Sequence, residues 1–345
     1  MKHNCKINNK KITDQVEWAG STLKNRLFLA PMAGPGALAF RKVCARFGAA
    51  LCVTELASAR AIRYSQGLES NKDIMAIKDA QPSSIQLFTF DPQDLAYAVP
   101  KILADPRYEA VGSIDINMGC PVKKVVKTGA GAALMRTPDL AAKLVETAVK
   151  AAAPYKKQIT VKFRSGWDAE HLNAPHFAKL MQEAGASAIC LHARTREQMY
   201  SGTADWQMIA ECKAVLSIPL AGNGDIKTVE DCEKILNTYG ADACAIGRAA
   251  LGQPWIFSRL LAESRGEQFE PPSGEAWQAV IFEHYHNLRE QYGAEHALQE
   301  FKSSLAYYLK GIPKAAALRN KAMRLENEED FYKLLGEIVD TSQAE

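Results

Sequence analysis

Eight short apolar runs, at 27–33, 50–56, 84–89, 113–119, 159–165, 188–194, 219–225 and 243–249, recur along the chain, with helix-patterned segments between most of them. This alternation constrains the fold more than any other feature. Runs that are apolar nearly throughout, rather than at every second position, belong to strands buried on both faces. Helices between them imply parallel pairing, with the helices covering the outer face. Several intervening segments, among them PQDLAYAVPKIL, PDLAAKLVETAVKAAA and VEDCEKILNTYG, begin after Asp, Pro or Thr, and several finish at Gly, as helix starts and stops do. Eight such repeats close a barrel, and about 250 residues is the usual size of a (β/α)8 fold. The expected architecture is a (β/α)8 TIM barrel over residues 1–266, in which the longer, polar connection 57–80 reads mostly as loop. A doubly wound open sheet is the rival, but no GxGxxG follows the first run and the polar residues do not gather at one reversal of strand order.

The segment EQFEPPSG at 267–274 breaks the pattern as a linker does, and 275–345 has helical periodicity without a convincing strand, so a small all-α domain is expected to follow the barrel. Its stretch 301–324 carries six Lys or Arg and no acid, including Lys310, Lys314, Arg319 and Arg324. The net charge of +3 hides this clustering. Tyr307 and Tyr308 lie inside it, either to stack on bases or to fill a core. No apolar run reaches the roughly 18 residues that a membrane span needs, and the start MKHNCKINNKKITDQ is polar, so a cytoplasmic protein is expected. The eight cysteines show no CxxC pair, which gives no zinc, iron–sulfur or compact disulfide pattern, and no metal is expected.

In this fold chemistry is built at the C-terminal ends of the strands. Those ends carry Pro31, Met32 and Ala33; Glu55; Gln86; Asn117 and Cys120; Lys162 and Arg164; His192 and Arg194; Asn223, Gly224 and Asp225; and Gly247 and Arg248. The glycines of LAGNGDI and AIGRAALG either permit tight turns or offer backbone N–H groups to a phosphate; together, and with Arg248 beside them, they favour phosphate. Lys162 interrupts an apolar strand and needs an anion or an electron-rich ligand, unless it forms a buried ion pair with Glu55 or Asp115. His192 is a core histidine or, beside Arg194 and Arg196, part of an anion or polar-substrate site. Cys44, Cys52, Cys190, Cys212, Cys232 and Cys244 read as small buried hydrophobes. Cys120 differs, because it lies in a loop with Lys123, Lys124 and Lys127, which are expected to make its thiol more acidic and to attract polyanions.

Taken together, APMAG, DINMGCPVKKVVKTGAGAAL, VKFRSGW, LHARTREQMYSGTADW, GNGDI and IGRAALGQPWIF resemble the tRNA-dihydrouridine synthases, over roughly residues 25–325. GCPVKKV and YLKGIPKAAALR are most similar to the bacterial dihydrouridine synthase B subgroup. The resemblance implies noncovalent FMN, reduced by NADPH, and reduction of the C5–C6 double bond of selected uridines in tRNA. It further implies hydride transfer from flavin N5 to C6 and a proton from Cys120 to C5. Pro31, Met32 and Ala33 would meet the isoalloxazine, Gln86 its edge and Lys162 its N1–O2 side, while His192, Asn223, Gly224, Asp225, Gly247 and Arg248 would surround the ribityl chain and phosphate. Asn117 and Arg164 would hold the uracil, and Lys123, Lys124, Lys310, Lys314, Arg319 and Arg324 the RNA, with the protein acting as a monomer. The chain departs from the family at APMAGPGALAFR, which lacks a threonine–aspartate turn, at QLFTFDP, where Thr89 replaces a usual glycine, and at KFRSGW, with serine for threonine. The rivals are an FMN barrel acting on a free small molecule, of dihydroorotate or enoate type, and a flavin-containing RNA binder without catalysis. The first leaves the basic tail idle, and the presence of Cys120, Lys162 and Asn117 argues against the second.

Overall fold

The computed structural model describes residues 9–343; the polar N-terminal segment with Cys5, and the last two residues, lie outside the described residues. A two-stranded antiparallel hairpin, β1 (Val16–Trp18) and β2 (Ser21–Leu23), precedes eight parallel strands: β3 (Leu27–Leu29), β4 (Leu51–Ser58), β5 (Ser83–Phe88), β6 (Ser113–Met118), β7 (Gln158–Arg164), β8 (Ala188–His192), β9 (Leu220–Asn223) and β10 (Ala243–Ile246). Each strand pairs with the next in sequence, and β10 pairs with β3, so the barrel is closed. Around and beyond it run α1 (Leu38–Arg46), α2 (Ala59–Tyr64), α3 (Lys72–Met75), α4 (Pro92–Leu103), α5 (Lys123–Val126), α6 (Pro138–Ala152), α7 (Ala174–Glu183), α8 (Gln207–Val215), α9 (Val229–Glu233) and α10 (Ile256–Glu263). A helical C-terminal region follows: α11 (Gly274–Tyr292), α12 (Ala294–Tyr308), α13 (Ala315–Met323) and α14 (Glu328–Gln343).

Side chains alternate across each strand. On β6 the outward Ile114, Ile116 and Met118 join the large core beneath the helices, as do Ile159, Val161 and Phe163 of β7. The other parity, Ser113, Asp115 and Asn117 on β6 and Thr160, Lys162 and Arg164 on β7, therefore faces the barrel interior. Small inward residues such as Ala221, Ala243 and Ala245 form a separate apolar layer with Phe28, Leu51 and the hairpin residues Val16, Trp18 and Leu23. Trp18 meets Phe28 edge-on at 4.9 Å, and Gly20 in the hairpin turn lies against Gln158, the first residue of β7. The hairpin thus plugs the end of the barrel at which the strands begin, leaving the opposite mouth for chemistry.

Two sequence expectations need correction. The connection 57–80 is not mostly loop: it contains α2, a 3-10 turn at Gly67–Asn71 and α3, and Ser58 caps α2 by accepting the Ala61 N–H at 3.1 Å. Its helices are only six and four residues long, too short to show a 3.6-residue periodicity. Several strands also stop before their apolar runs do, at Leu29, His192, Asn223 and Ile246, so the residues beyond are free to turn into the mouth. The plugging hairpin has no counterpart in the sequence reading, because three-residue strands carry too little pattern.

The helical C-terminal region shares one core with α1 of the barrel. Ala39, Val43 and Trp255 pack with Tyr285, Phe301, Leu305, Tyr308 and Phe331. Tyr308 belongs to this core and pairs with His284 Nδ1 at 3.2 Å, whereas Tyr307 is exposed. At the plugged end, Asp242 straps distant segments together. It accepts from Lys10 Nζ at 2.9 Å, Lys213 Nζ at 2.7 Å and the Leu220 N–H at 3.0 Å. Burial pushes its carboxyl up, but the bonds from Lys213, Leu220 and Lys10 outweigh it and hold the carboxyl below its ordinary value. Asp242→Ala should cost about 3 kcal/mol in urea unfolding at neutral pH. The sign of the linkage makes that deficit shrink in acid, since the stabilisation is lost as pH falls through the depressed folded-state value. Equal unfolding midpoints at neutral pH would remove Asp242 from this role.

Candidate active site

The site begins with a carboxylate in the barrel interior. Asp115 accepts Thr160 Oγ1–H at 2.6 Å on one oxygen and Gln86 Nε2–H at 2.7 Å on the other. Gln86 is thereby oriented to present Oε1 to Asn117 Nδ2 at 2.8 Å. Asn117 Oδ1 in turn accepts the backbone N–H of Gly119 at 3.2 Å and of Cys120 at 2.9 Å. Four consecutive partners on β5, β6 and β7 thus fix where the Cys120 backbone sits. Gly131 closes the same loop: its φ is +60°, and a Cβ there would stand 2.8 Å from the Cys120 carbonyl oxygen, so only glycine fits without a shift.

Cys120 is half-buried and free. Burial raises its pKa above the ordinary thiol value, against the lowering effects of the Val122 N–H, Arg164 and Lys162. The expected acidification by Lys123, Lys124 and Lys127 is overturned. All three are exposed and the thiol is desolvated instead, so it holds its proton. The other six described cysteines are buried and free, as read from the sequence.

Lys162 is the interior cation, and the ion-pair alternative is not what forms. Its Nζ donates to Asn223 Oδ1 at 3.2 Å, while Asp115 is occupied as above and Glu55 accepts the Gly34 N–H. Asn223 is itself held by the Ala245 carbonyl at 2.7 Å. Burial, with Arg164 adding to it, lowers the Lys162 pKa. His192, buried next to it, is pushed well below its ordinary value by burial and by Lys162, Arg164, Arg194 and Arg248, and so is neutral.

Of the expected anion binders, Arg194 is buried and committed. Its Nη2 grips Asp225 at 2.9 and 2.6 Å and the Gly202 carbonyl at 2.7 Å, and Asp225 also accepts the Ala204 N–H at 2.8 Å. Asp225 therefore shapes the loop after β9, rather than pointing freely into the mouth. Arg248 is half exposed at 51%, touches Asp225 and the Tyr200 carbonyl only at 3.5 Å, and lies 4.9 Å over the Tyr200 ring. Arg164 donates to the carbonyls of Gly119, Thr195 and Met199 at 2.8, 2.9 and 2.9 Å, which leaves Nη2 without a protein acceptor among the described residues. Pro31 and Met32 are half-buried at the mouth, Ala33 is exposed, and Gly247 faces the Met32 sulfur. Lys310, Lys314, Arg319 and Arg324 are exposed on the helical region, away from this cluster in sequence, and none has an ion-pair partner among the described residues.

The family of dihydrouridine synthases (Dus) matches residues 28–343. The chain belongs to this family. A tRNA-dihydrouridine synthase B from Pseudomonas aeruginosa is 37% identical over 309 residues, 89% of this chain and 90% of that protein. A probable tRNA-dihydrouridine synthase from Rickettsia bellii is likewise 37% identical, over 89% of this chain and 92% of its own. In fold, the structure of an old yellow enzyme homologue from Zymomonas mobilis matches with a TM-score of 0.54 at 15% identity, covering 78% of this chain and 96% of that one.

Dihydrouridine synthases are flavin-dependent oxidoreductases, and the residues present fit a flavin. Lys162 is a desolvated ammonium whose hydrogen bond among the described residues goes to an amide oxygen. Arg194 Nη1 is buried without a partner. Gly224, at φ +120°, lets the backbone pass so close to Ala204 and His192 that a Cβ would stand 2.9 Å from the Ala204 methyl. Sequence reasoning missed the anchoring role of Asp115 and Thr160, although both lie at the inward parity of apolar strands, which was the signal available. It also missed Tyr200, which sits beside His192 and under both Arg164 and Arg248.

Lys162→Met should weaken flavin retention at least about tenfold while stabilising the flavin-free protein by about 1–3 kcal/mol, because the desolvation of an ammonium bonded only to an amide oxygen outweighs the attraction of Asp115. That gain is full below the depressed folded-state pKa of the lysine and fades towards 10.5, where the wild-type group loses its charge in the unfolded state as well. Urea unfolding of flavin-free protein and flavin titration measure both. A variant that is less stable and binds flavin as tightly contradicts this assignment.

Proposed function

We propose that the protein is a tRNA-dihydrouridine synthase that reduces the C5–C6 double bond of selected uridines in tRNA, with noncovalent FMN and NADPH as reductant, acting as a cytoplasmic monomer. The observation that carries the reading is a protonated thiol, Cys120, fixed at the barrel mouth by Asn117 and facing a site whose interior cation is Lys162. The names of the relatives at 37% identity support tRNA as substrate.

In this reading Pro31, Met32 and Ala33 meet the ring through backbone groups and Lys162 its N1–O2 side, whereas Gln86, expected at the ring edge, is fully buried with its amide between Asp115 and Asn117 and supports the site from behind. His192 and Asn223 border the ribityl chain, and Gly224, Asp225, Gly247 and Arg248 the phosphate. FMN, when bound, supplies the hydride that C6 receives. Asn117, with its remaining amide hydrogen, and Arg164 Nη2 hold the polar edge of the uracil. Cys120 gives its proton to C5, and a positioned acid of this kind contributes about 10²–10⁴-fold. A uridine reaches the pocket only by leaving its stack, at a cost of a few kcal/mol that is smallest in an RNA loop.

A barrel of the same kind acting on a free small molecule would use the same flavin residues. It would have no use for Lys310, Lys314, Arg319 and Arg324, which are exposed without ion-pair partners among the described residues. The region 275–345 is therefore read as the tRNA-binding domain, joined to the barrel through 267–274.

Cys120→Ala should keep FMN and bind tRNA but turn over about 10²–10⁴-fold more slowly. For the wild type, the rate should fall only as pH rises through the raised thiol pKa, because the acid works in its protonated form. Single-turnover reoxidation of reduced enzyme by unmodified tRNA, followed across pH, is the measurement; equal rates in the variant exclude Cys120 as the acid. Neutralising Lys310, Lys314, Arg319 and Arg324 should weaken tRNA binding and lower the slope of log K against log salt by up to about 4, near 1 per phosphate contact. An unchanged slope would return that surface to ordinary solvated helix.

A further inference from the structure

The rim of the barrel mouth carries an aromatic surface that the reaction does not use. Tyr64, the last residue of α2, is 60% exposed. An isolated exposed ring would need no explanation, but this one is held. Arg60 lies 5.0 Å from the centre of the Tyr64 ring and 5.4 Å from that of Phe90, and Arg63 lies 4.8 Å from Tyr64. Arg63 is neutralised by Asp91 at 3.4 Å and Asp94 at 3.2 Å, which fixes it as a support. Arg60 is exposed and has no ion pair among the described residues.

A chain of contacts ties this surface to the thiol. Gly131 lies against Cys120, and two residues earlier Gly129 lies against the Phe90 side chain, at 3.5 Å for an ideal Cβ. Phe90 touches Arg60, and Arg60 touches Tyr64. Lys123, Lys124 and Lys127, in the same loop as Gly129 and Gly131, are exposed and have no ion pairs among the described residues. The rim therefore combines a solvent-facing aromatic ring flanked by two arginines with uncompensated cations, next to the pocket that receives one nucleotide. Single-stranded nucleic acid is the ligand that such a combination suits, since every base has a face to stack and every link carries a negative charge.

We infer that Tyr64, backed by Arg60, Arg63 and Phe90, is a stacking platform for an unpaired RNA base near the reduced uridine. The lysines of the Cys120 loop take the phosphates between the two bases. The inference rests on the proposed RNA substrate. The contacts of Arg60 and Arg63 with the ring favour one placement of it, which lessens the side-chain entropy that stacking costs.

The test uses FMN-loaded enzyme and an unmodified tRNA transcript, with affinity measured over a range of salt. Tyr64→Ala should weaken binding about 5- to 100-fold, the range expected of one base–aromatic stack, by the same factor at every salt concentration. Tyr64→Phe should bind like the wild type, and Arg60→Gln should lower the salt slope by about 1. Tyr64→Ala within twofold of wild type, a loss that phenylalanine does not rescue, or a loss that disappears at high salt would each overturn the platform. Wild-type enzyme that binds and reduces the transcript while Tyr64→Ala binds equally well defeats this inference alone. Wild-type enzyme that does not bind the transcript defeats both it and the proposed substrate.

Discussion

The Asp115 carboxylate is the fixed point of the site. It forms no direct ion pair among the described residues, and burial raises its pKa against the lowering pull of Gln86, Thr160 and Lys162. Both of its oxygens act as acceptors, so Gln86 must turn its Nε2 towards Asp115 and its Oε1 towards Asn117. Asn117 must then turn its own oxygen to the N–H groups of Gly119 and Cys120. Amide ends that would be interchangeable in isolation are sorted by one acceptor-only group at the start of the chain. The thiol is placed by backbone bonds to Asn117, while the Val122 N–H acts on the sulfur itself.

The same interior explains why the site is costly to fold. Lys162, His192 and Arg164 share a volume walled by strands, and burial opposes the charged form of each. His192 yields by being neutral. Arg164 keeps its charge by spreading its donors over three carbonyls, although burial lowers it to about 10. Lys162 finds only Asn223. A cation left this poorly answered is the mark of a group waiting for a ligand.

Much of this was legible in the sequence because strand parity is rigid. Once 113–119 and 159–165 are recognised as strands, Asp115 and Asn117 must share a face, as must Thr160, Lys162 and Arg164. The nearly continuous apolar runs then gave the closed barrel. What the sequence could not carry was the partner of each polar group, because partners come from neighbouring strands. Lys162 faced Asp115 on parity grounds, yet the ammonium bonds Asn223 while the Asp115 oxygens take Gln86 and Thr160. The lysines around Cys120 looked like tuning charges because they were near in sequence, but they sit in solvent, where their field is screened, while burial acts on the thiol directly. The short helices of 57–80 escaped for a different reason: one turn buries too few side chains to leave a periodic trace.

The division of labour between the loop lysines and the thiol bears on what the loop is for. In the proposed reaction, an acid that must hold its proton at neutral pH gains nothing from nearby cations, which would favour the thiolate. Keeping Lys123, Lys124 and Lys127 exposed, and Cys120 half-buried below them, separates the two tasks within one segment. The outer part can draw in a polyanion without acidifying the inner part. Gly131 makes this possible, since its left-handed backbone folds the loop back over the Cys120 carbonyl, and the Ala132 N–H bonds to that oxygen at 3.0 Å. A side chain at 131 would push the loop off the Cys120 carbonyl and admit water to the thiol, lessening the burial that raises its pKa.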